Sequence, residues 1–278
     1  MRLKVNFHDL KNVAVIMSVY KSDDPFALEL AVGSILEQDY PCDLYIYLDG
    51  VLTEDLYLIL NKFSSDYSVT IISSSINNGL AFSLNVLIDT VVSKGYDFIA
   101  RMDSDDISRH DRLSKQVDFL VANPDISVCG TFCSEFGSSY SLSEKKLPVE
   151  HDDLLKFSIA RCPFIHPTVM FKNSLFELGY RYPLNTHLTE DMAFWFLLLH
   201  RGFKFANVGQ VLLDYRLNEN TIERRRGLSK SVNETKLRFY YMFVLKQMTI
   251  LNFFYISSRF FFHLLPPSFV KFLYRRFR

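Results

Sequence analysis

Short apolar runs rich in β-branched residues recur along the first hundred positions, and stretches with helical spacing lie between them. Residues 13–19 (VAVIMSV) have the length and continuity of a buried strand and run into the turn-rich KSDDP. Residues 25–38 then place Phe26, Leu30, Gly33 and Leu36 near helical spacing, with Pro25 suited to a first turn. The strand signal returns at 43–48 (DLYIYL), 68–73 (SVTIIS) and 97–102 (DFIARM). The second of these leads through Asn77-Asn78-Gly79 into a helix reaching about residue 92.

Strands alternating with helices predict right-handed crossovers and a mostly parallel sheet covered on both faces. In such sheets ligands bind beyond the carboxyl ends of the strands. The polar groups noted above fall at those ends.

The pattern is less regular in the second half. A helix is expected over 112–122, a strand over 126–132 and a loop over the polar stretch 137–153. Residues 164–171 (FIHPTVMF) read as a strand entered through a proline turn, 189–201 as a helix, and 204–208 and 211–216 as two short strands. No internal repeat is visible. The basic RRRGLSKS at 224–231 reads as the boundary between a globular body and an aromatic tail.

Composition narrows the class. With 278 residues, 49% hydrophobic and 15% aromatic, the chain has ample core and no signature of disorder. Its 10 Gly and 4 Cys exclude collagen-like and disulfide-scaffold proteins. Cys42, Cys129, Cys133 and Cys162 show neither a CxxC pair nor zinc spacing, so reduced core cysteines in an intracellular protein are expected. The start, MRLKVNFHDLKN, lacks the apolar run of a signal peptide.

A formal net charge of zero conceals an asymmetry. Residues 224–278 hold 12 Lys and Arg against one acid, Glu234, so the remainder is strongly acidic. A basic tail on an acidic body points to an anionic partner surface.

Two acidic groups carry candidate chemistry. ARMDSDDIS packs three carboxylates into four positions at the end of an apolar strand, where they repel one another unless a cation or hydrogen-bond donors compensate. Such a set suits a hard divalent ion shared with a substrate phosphate; the same residues could also form a solvated turn that caps the next helix. Thr189-Glu190-Asp191 opens a helix with an apolar face of Phe194, Trp195 and Leu198. Capping and the helix dipole account for acids there, and a positioned general base is the functional alternative.

The ordered series VAVIMSVYKSDDP, SILEQDYP, YLDG, NNGLAFSLN, ARMDSDDISRHDRL, IHPTVMF and TEDMAFWFLLLHRGFKF, from about residue 12 to 216, resembles a family 2 glycosyltransferase. Within it, the subgroup building bacterial O-antigen, capsule or exopolysaccharide is most similar. The resemblance implies a GT-A fold: an α/β, Rossmann-like, mostly parallel sheet flanked by helices, over residues 1–223. Its nucleotide-binding part would span about 12–110 and its acceptor part about 111–223, with 224–278 a basic, aromatic, helical C-terminal segment.

The resemblance also implies roles. Ser18, Val19 and Tyr20 would contact the nucleoside, Asp49 the base, and Asn77 and Gly79 the nucleotide. Asp105 would hold Mn²⁺ or Mg²⁺, with Asp103 near the metal or ribose. Asp191 would be the catalytic base, and Glu190, His166 and Trp195 would face the acceptor. Asp49 departs from the family pattern, standing alone before Gly50 where paired acids are common.

The implied reaction is inverting, metal-dependent transfer of a hexose from a nucleotide sugar, expected to be UDP-linked, to a lipid-linked oligosaccharide. A nucleotidyltransferase would be expected to carry a Gly-rich, lysine-containing phosphate loop, and KSDDP has no glycine. A glycoside hydrolase would need neither metal cluster nor nucleotide pocket. Intact acids at 103, 105 and 191 count against a silent scaffold.

The tail, from residue 239 on, mixes Phe, Tyr and Leu with Lys and Arg, and no apolar run reaches the ~18 residues of a spanning helix. Contact with the anionic cytoplasmic face of the inner membrane is favoured over packing against the body or a second subunit. No nucleic-acid module accompanies the basic residues; a homodimer is allowed for.

Overall fold

The structure, a computed structural model, describes residues 11–65, 68–186, 189–218, 228–262 and 265. Its centre is an eight-stranded sheet in the order β3-β2-β1-β4-β7-β6-β8-β5. The strands are β1 (Val13–Tyr20), β2 (Asp43–Asp49), β3 (Val69–Ser74), β4 (Phe98–Asp103), β5 (Ile107–Ser108), β6 (Ile126–Phe136), β7 (Met170–Lys172) and β8 (Lys204–Arg216). Strands β3, β2, β1 and β4 run parallel, joined by α1 (Pro25–Leu36), α2 (Glu54–Phe63) and α3 (Leu80–Val91). The mostly parallel α/β architecture read from the hydrophobic pattern is therefore the observed one. Strand β7 breaks the parallel run by pairing antiparallel with both β4 and β6.

Local chemistry explains the element ends. Asp24 caps α1, its side chain accepting from the Ala27 amide at 2.8 Å, with Pro25 in the first turn. The interval over 54–63 had no expected element; it is helical, with Thr53 as N-cap and Glu54 and Asp55 in the first turn. Helix α4 (Arg112–Ala122) matches its expected span.

Three expectations change. The polar loop ends at residue 150, because α5 (His151–Ala160) begins there, with Asp152 and Asp153 in its first turn. The FIHPTVMF segment is a 3-10 turn over His166–Thr168 followed by β7. Thr168 accounts for this: its hydroxyl donates to the Ile165 carbonyl at 2.7 Å and accepts from the Thr131 amide at 3.0 Å, fixing the turn beside β6. The two short strands over 204–216 are one strand, β8. It bulges where Thr131 and Phe132 pair with Val208 and Val211, leaving exposed Gly209 and Gln210 outside the ladder.

The chain continues through α6 (Ser174–Glu177) and α7 (Glu190–His200). One core fills the sheet face bearing Val15, Met17, Ile46 and Met102 against α1, α2 and α4. The other joins Ile16, Ile99 and Phe171 to α3 and α7, with Trp195 at its centre.

Beyond β8 lie α8 (Leu228–Val244) and α9 (Ile250–Phe262). Met242 and Ile256 bury against Ile159, Met192 and Phe196, fastening this pair to α5 and α7. The supposed boundary at 224–227 and the tail from 266 on lie outside the described residues. Among the described residues no helix is long and apolar enough to cross a membrane.

Candidate functional site

Strand register brings the first candidates together. Ser18 of β1 stands beside Asp103 of β4, and Tyr20 beside Asp49 of β2. Val19 is fully buried in the core between, so only its backbone could meet a ligand. The β1–α1 turn is tied to the acidic turn through Asp23, whose Oδ2 accepts from the Tyr20 amide at 3.0 Å and from the Ser104 hydroxyl at 2.7 Å.

Asp49 is buried, and its two oxygens accept the backbone amides of Asn78 at 2.8 Å and Gly79 at 2.9 Å. The carboxylate thus organises the turn that starts α3. Gly79 takes φ +88° at the N-cap, and Gly50 takes φ +90° where a Cβ would stand 3.1 Å from the Asn77 nitrogen. Both conformations favour glycine.

After β4 the three carboxylates of Asp103, Asp105 and Asp106 offer oxygens that all lie within 4.8 Å of one another. Burial, then the charges of Asp103 and Asp23, push the Asp105 carboxyl up to about 6. Burial first, then the charges of Asp103 and Asp105, push Asp106 well above the usual carboxylate range. Asp106 accepts the Arg216 amide on Oδ1 at 2.7 Å, while its buried Oδ2 has no hydrogen-bond partner among the described residues. Arg216 also donates from Nε to the Asp105 carbonyl at 2.7 Å, clamping β8 onto the turn. An all-oxygen cluster with excess negative charge and an unused buried acceptor fits a hard divalent cation.

Arg101 carries the balancing charge. It is fully buried on β4, two residues before Asp103, and its Nη2 donates to Asp103 Oδ1. Beside it, His166 Nε2 lies 3.0 Å from the Tyr182 hydroxyl. Burial and the Arg101 charge hold the imidazole well below its ordinary pKa, so it is neutral at pH 7. The Tyr182 backbone is gripped at both polar groups by the Asn85 side chain, at 2.8 and 2.9 Å. Burial raises the Tyr182 phenol pKa, and the charges of Asp191 and Asp103 act on it as well.

Helix α7 supplies the second group. Thr189 occupies the N-cap position but its side chain makes no capping hydrogen bond, contrary to the expected cap. Asp191 Oδ1 accepts the Met192 amide at 2.7 Å, and Oδ2 accepts from the Cys162 thiol at 3.9 Å. Burial, then Asp191, pushes that thiol up to about 12, so it remains protonated as a donor. Trp195 corrects an expectation: its ring is fully buried among Phe164, Phe171 and Phe205. It is the floor beneath His166 and Tyr182, out of reach of an acceptor.

Residue patterns missed Arg101, Tyr182, Cys162 and Asp23. An arginine inside the apolar run DFIARM was the available signal; the others are assembled from separate elements.

Residues 14–181 match Glycosyl transferase family 2. An uncharacterized glycosyltransferase of Haemophilus influenzae is 31% identical over 274 residues, spanning 95% of this chain and 98% of its own. The UDP-Gal:alpha-D-GlcNAc-diphosphoundecaprenol beta-1,3-galactosyltransferase of Escherichia coli is 30% identical, spanning 96% and 97%. A mannosyltransferase from Pyrobaculum calidifontis, solved with GDP-Man and Mn²⁺, superposes with a TM-score of 0.60 at 15% identity. That match covers 94% of this chain and 72% of the other, and it concerns the fold.

Proposed function

The chain belongs to glycosyl transferase family 2, and we propose that it moves a hexose from a UDP-sugar to a lipid-linked oligosaccharide, with inversion and with a divalent metal. Glycosyltransfer itself follows from the family and its relatives. The donor and acceptor are supported by the E. coli relative, whose name gives UDP-galactose and a diphosphoundecaprenol-linked sugar. With a lipid-linked acceptor, the place of action is the cytoplasmic face of the inner membrane.

One observation carries the chemistry: at the end of β4 the carboxylates of Asp103, Asp105 and Asp106 offer oxygens within 4.8 Å of one another, with the buried Arg101 paired to Asp103. Departure of a nucleoside diphosphate develops negative charge on the leaving oxygen. Asp105, with Asp103 and Asp106, would hold Mg²⁺ or Mn²⁺, which would supply Lewis-acid stabilisation of that charge. Arg101 holds one oxygen of Asp103 and so fixes that carboxylate beside the cluster. The Asp49-braced turn and the ends of β1 and β2 hold the nucleoside, through Ser18, Tyr20, Asn77 and Gly79. Asp191 takes the proton of the acceptor hydroxyl as that oxygen attacks from the face opposite the departing group, which inverts the anomeric centre. The Met192 amide and Cys162 thiol keep its carboxylate aimed. Glu190 and His166 stand on the acceptor side.

Calorimetric titration with UDP, GDP, dTDP and CDP, in Mn²⁺ and in EDTA, tests the donor and metal together. Mn²⁺-dependent binding of UDP, lost in Asp105→Ala, is expected. Asp191→Asn should retain that binding and lose transfer by about a thousand-fold, the scale of general-base catalysis. Full turnover by Asp191→Asn would remove it from the base's role, and preferential binding of GDP would replace UDP as the donor class.

A further inference from the structure

The N-terminal end of α7 does not close against α8. Between them lies a cavity of about 380 Å³ lined by Asn185, Thr186, Thr189, Asn233, Lys236, Leu237 and Tyr240. Asn233, Lys236, Leu237 and Tyr240 fall at helical spacing, so they form one stripe along α8 across the groove from Asn185, Thr186 and Thr189. Thr189, on the opposite wall, is two residues from Asp191. The cleft therefore opens beside the helix turn that holds the proposed base.

Its chemistry is divided. Asn185, Thr186 and Asn233 offer amide and hydroxyl groups, Lys236 an exposed ammonium, and Leu237 and Tyr240 an apolar side. Tyr240 is 61% exposed and belongs to a wider apolar face with Phe243 of α8 and Ile250, Leu251, Phe253 and Phe254 of α9, each more than half exposed. Bulky apolar side chains grouped on one face of a helical pair mark a contact surface rather than ordinary solvent exposure. Residues 228–262 carry five Lys and Arg against the single acid Glu234, so the same pair is cationic.

The inner side of the pair is immobilised. Arg238 is buried, pairs with Glu234 at 2.9 Å and donates from Nη1 to the carbonyls of Ser158 and Ile159 at 2.9 and 2.7 Å. Arg259 reaches the same Glu234 at 2.7 Å. The pair is thus joined internally and fixed to the last turn of α5.

Building on the lipid-linked acceptor of the proposed function, we propose that this cleft is the subsite for the acceptor's prenyl-diphosphate head. Lys236 pairs with the diphosphate, Asn233 and Thr186 hydrogen-bond it or the first sugar, and Tyr240 with Leu237 passes the prenyl chain toward the exposed aromatic face. That face rests in the interface of the bilayer. A lipid whose diphosphate is fixed at Lys236 would present its sugars on the side of the groove that carries Thr189, at the start of α7. The cationic surface favours an anionic head, and the aromatic side chains favour the headgroup level of a membrane.

Calorimetry with geranyl diphosphate, a short soluble prenyl diphosphate, tests the subsite directly. Wild-type protein should bind it, Lys236→Glu should bind at least tenfold more weakly, and Lys246→Glu, a charge change outside the cleft, should match wild type. UDP titration in Mn²⁺ should be unchanged in both variants, which also reports correct folding. Steady-state transfer to a prenyl-diphosphate sugar in vesicles should show a raised acceptor KM for Lys236→Glu with the donor KM unaltered.

Equal geranyl diphosphate affinity in wild type and Lys236→Glu would overturn the subsite, as would a parallel loss of UDP binding. If Lys236-dependent binding is found but no lipid-linked sugar is glycosylated, the subsite stands and the acceptor class falls. If transfer occurs with an unaltered acceptor KM in Lys236→Glu, the acceptor class stands and the subsite falls.

Discussion

Asp49 illustrates how a single side chain is committed by its neighbours. Sequence places it at a strand end before glycine, where a ligand contact is the natural expectation; the structure shows both oxygens accepting amides of the turn before α3. An Asn there would turn an NH₂ group toward one of those amides and leave a buried donor unpaired, a cost of about 1–3 kcal/mol. Asp49→Asn should therefore lower urea-unfolding stability by about 2 kcal/mol and weaken UDP binding with it. Weakened UDP binding at unchanged stability would instead assign the carboxylate to the base.

Arg101 is the converse case. The pattern reads it as an interruption of an apolar strand, but its burial beside Asp103 makes it part of the acidic site. A buried guanidinium must have its donors satisfied, here in part by a carboxylate, and two-residue spacing on a strand puts that partner on the same face.

Elements were legible where one physical signal dominated. The continuous apolar runs of β1, β2 and β4 and the turns that end them are visible because a strand buried on both faces needs such a run. Helix α5 was not, and the strand read over 164–171 shortens to β7 behind its proline turn, because the stabilising partners lie far away in the chain. Thr168 is anchored to β6, and α5 ends on Arg238 of α8.

Arg238 donates to two carbonyls of the last turn of α5, satisfying groups that a helix end leaves open and complementing its dipole. Arg238→Ala should cost about 3 kcal/mol, since it removes buried hydrogen bonds and the buried ion pair with Glu234. Thermal unfolding would show this as a fall in Tm, and Arg238→Lys should recover part of it. An unchanged Tm would mean that Arg238 contributes nothing to holding α5.

At the scale of the whole molecule, the acidic cluster sets a dependence of stability on pH and metal. Asp105 has a folded pKa of about 6 against an ordinary 3.8, raised by burial and neighbouring acids. Asp106 is shifted in the same direction. A carboxyl with a raised folded pKa binds more protons when folded, so this group favours folding increasingly as pH falls from about 6 toward 4 and costs stability above 6.

In EDTA, Asp105→Asn should therefore exceed wild type in Tm at pH 7, and the gap should narrow at pH 5. Mn²⁺ should raise the wild-type Tm at pH 7 and raise it less at pH 5, where protons compete for the same oxygens. A gap independent of pH would show that the Asp105 charge is not strained in the folded protein.

By itself the sequence determined the alternation of strands and helices, the parallel half of the sheet and the positions of its acidic groups. These depend on side-chain pattern within short windows. Tertiary structure alone decided that β7 enters antiparallel, that Trp195 is a floor rather than a contact, and that Tyr182, Arg101 and Cys162 join the acids. It also decided that one face of α8 and α9 is buried while the other stays open. Each depends on groups from distant parts of the chain meeting at one place, and no local period encodes such a meeting.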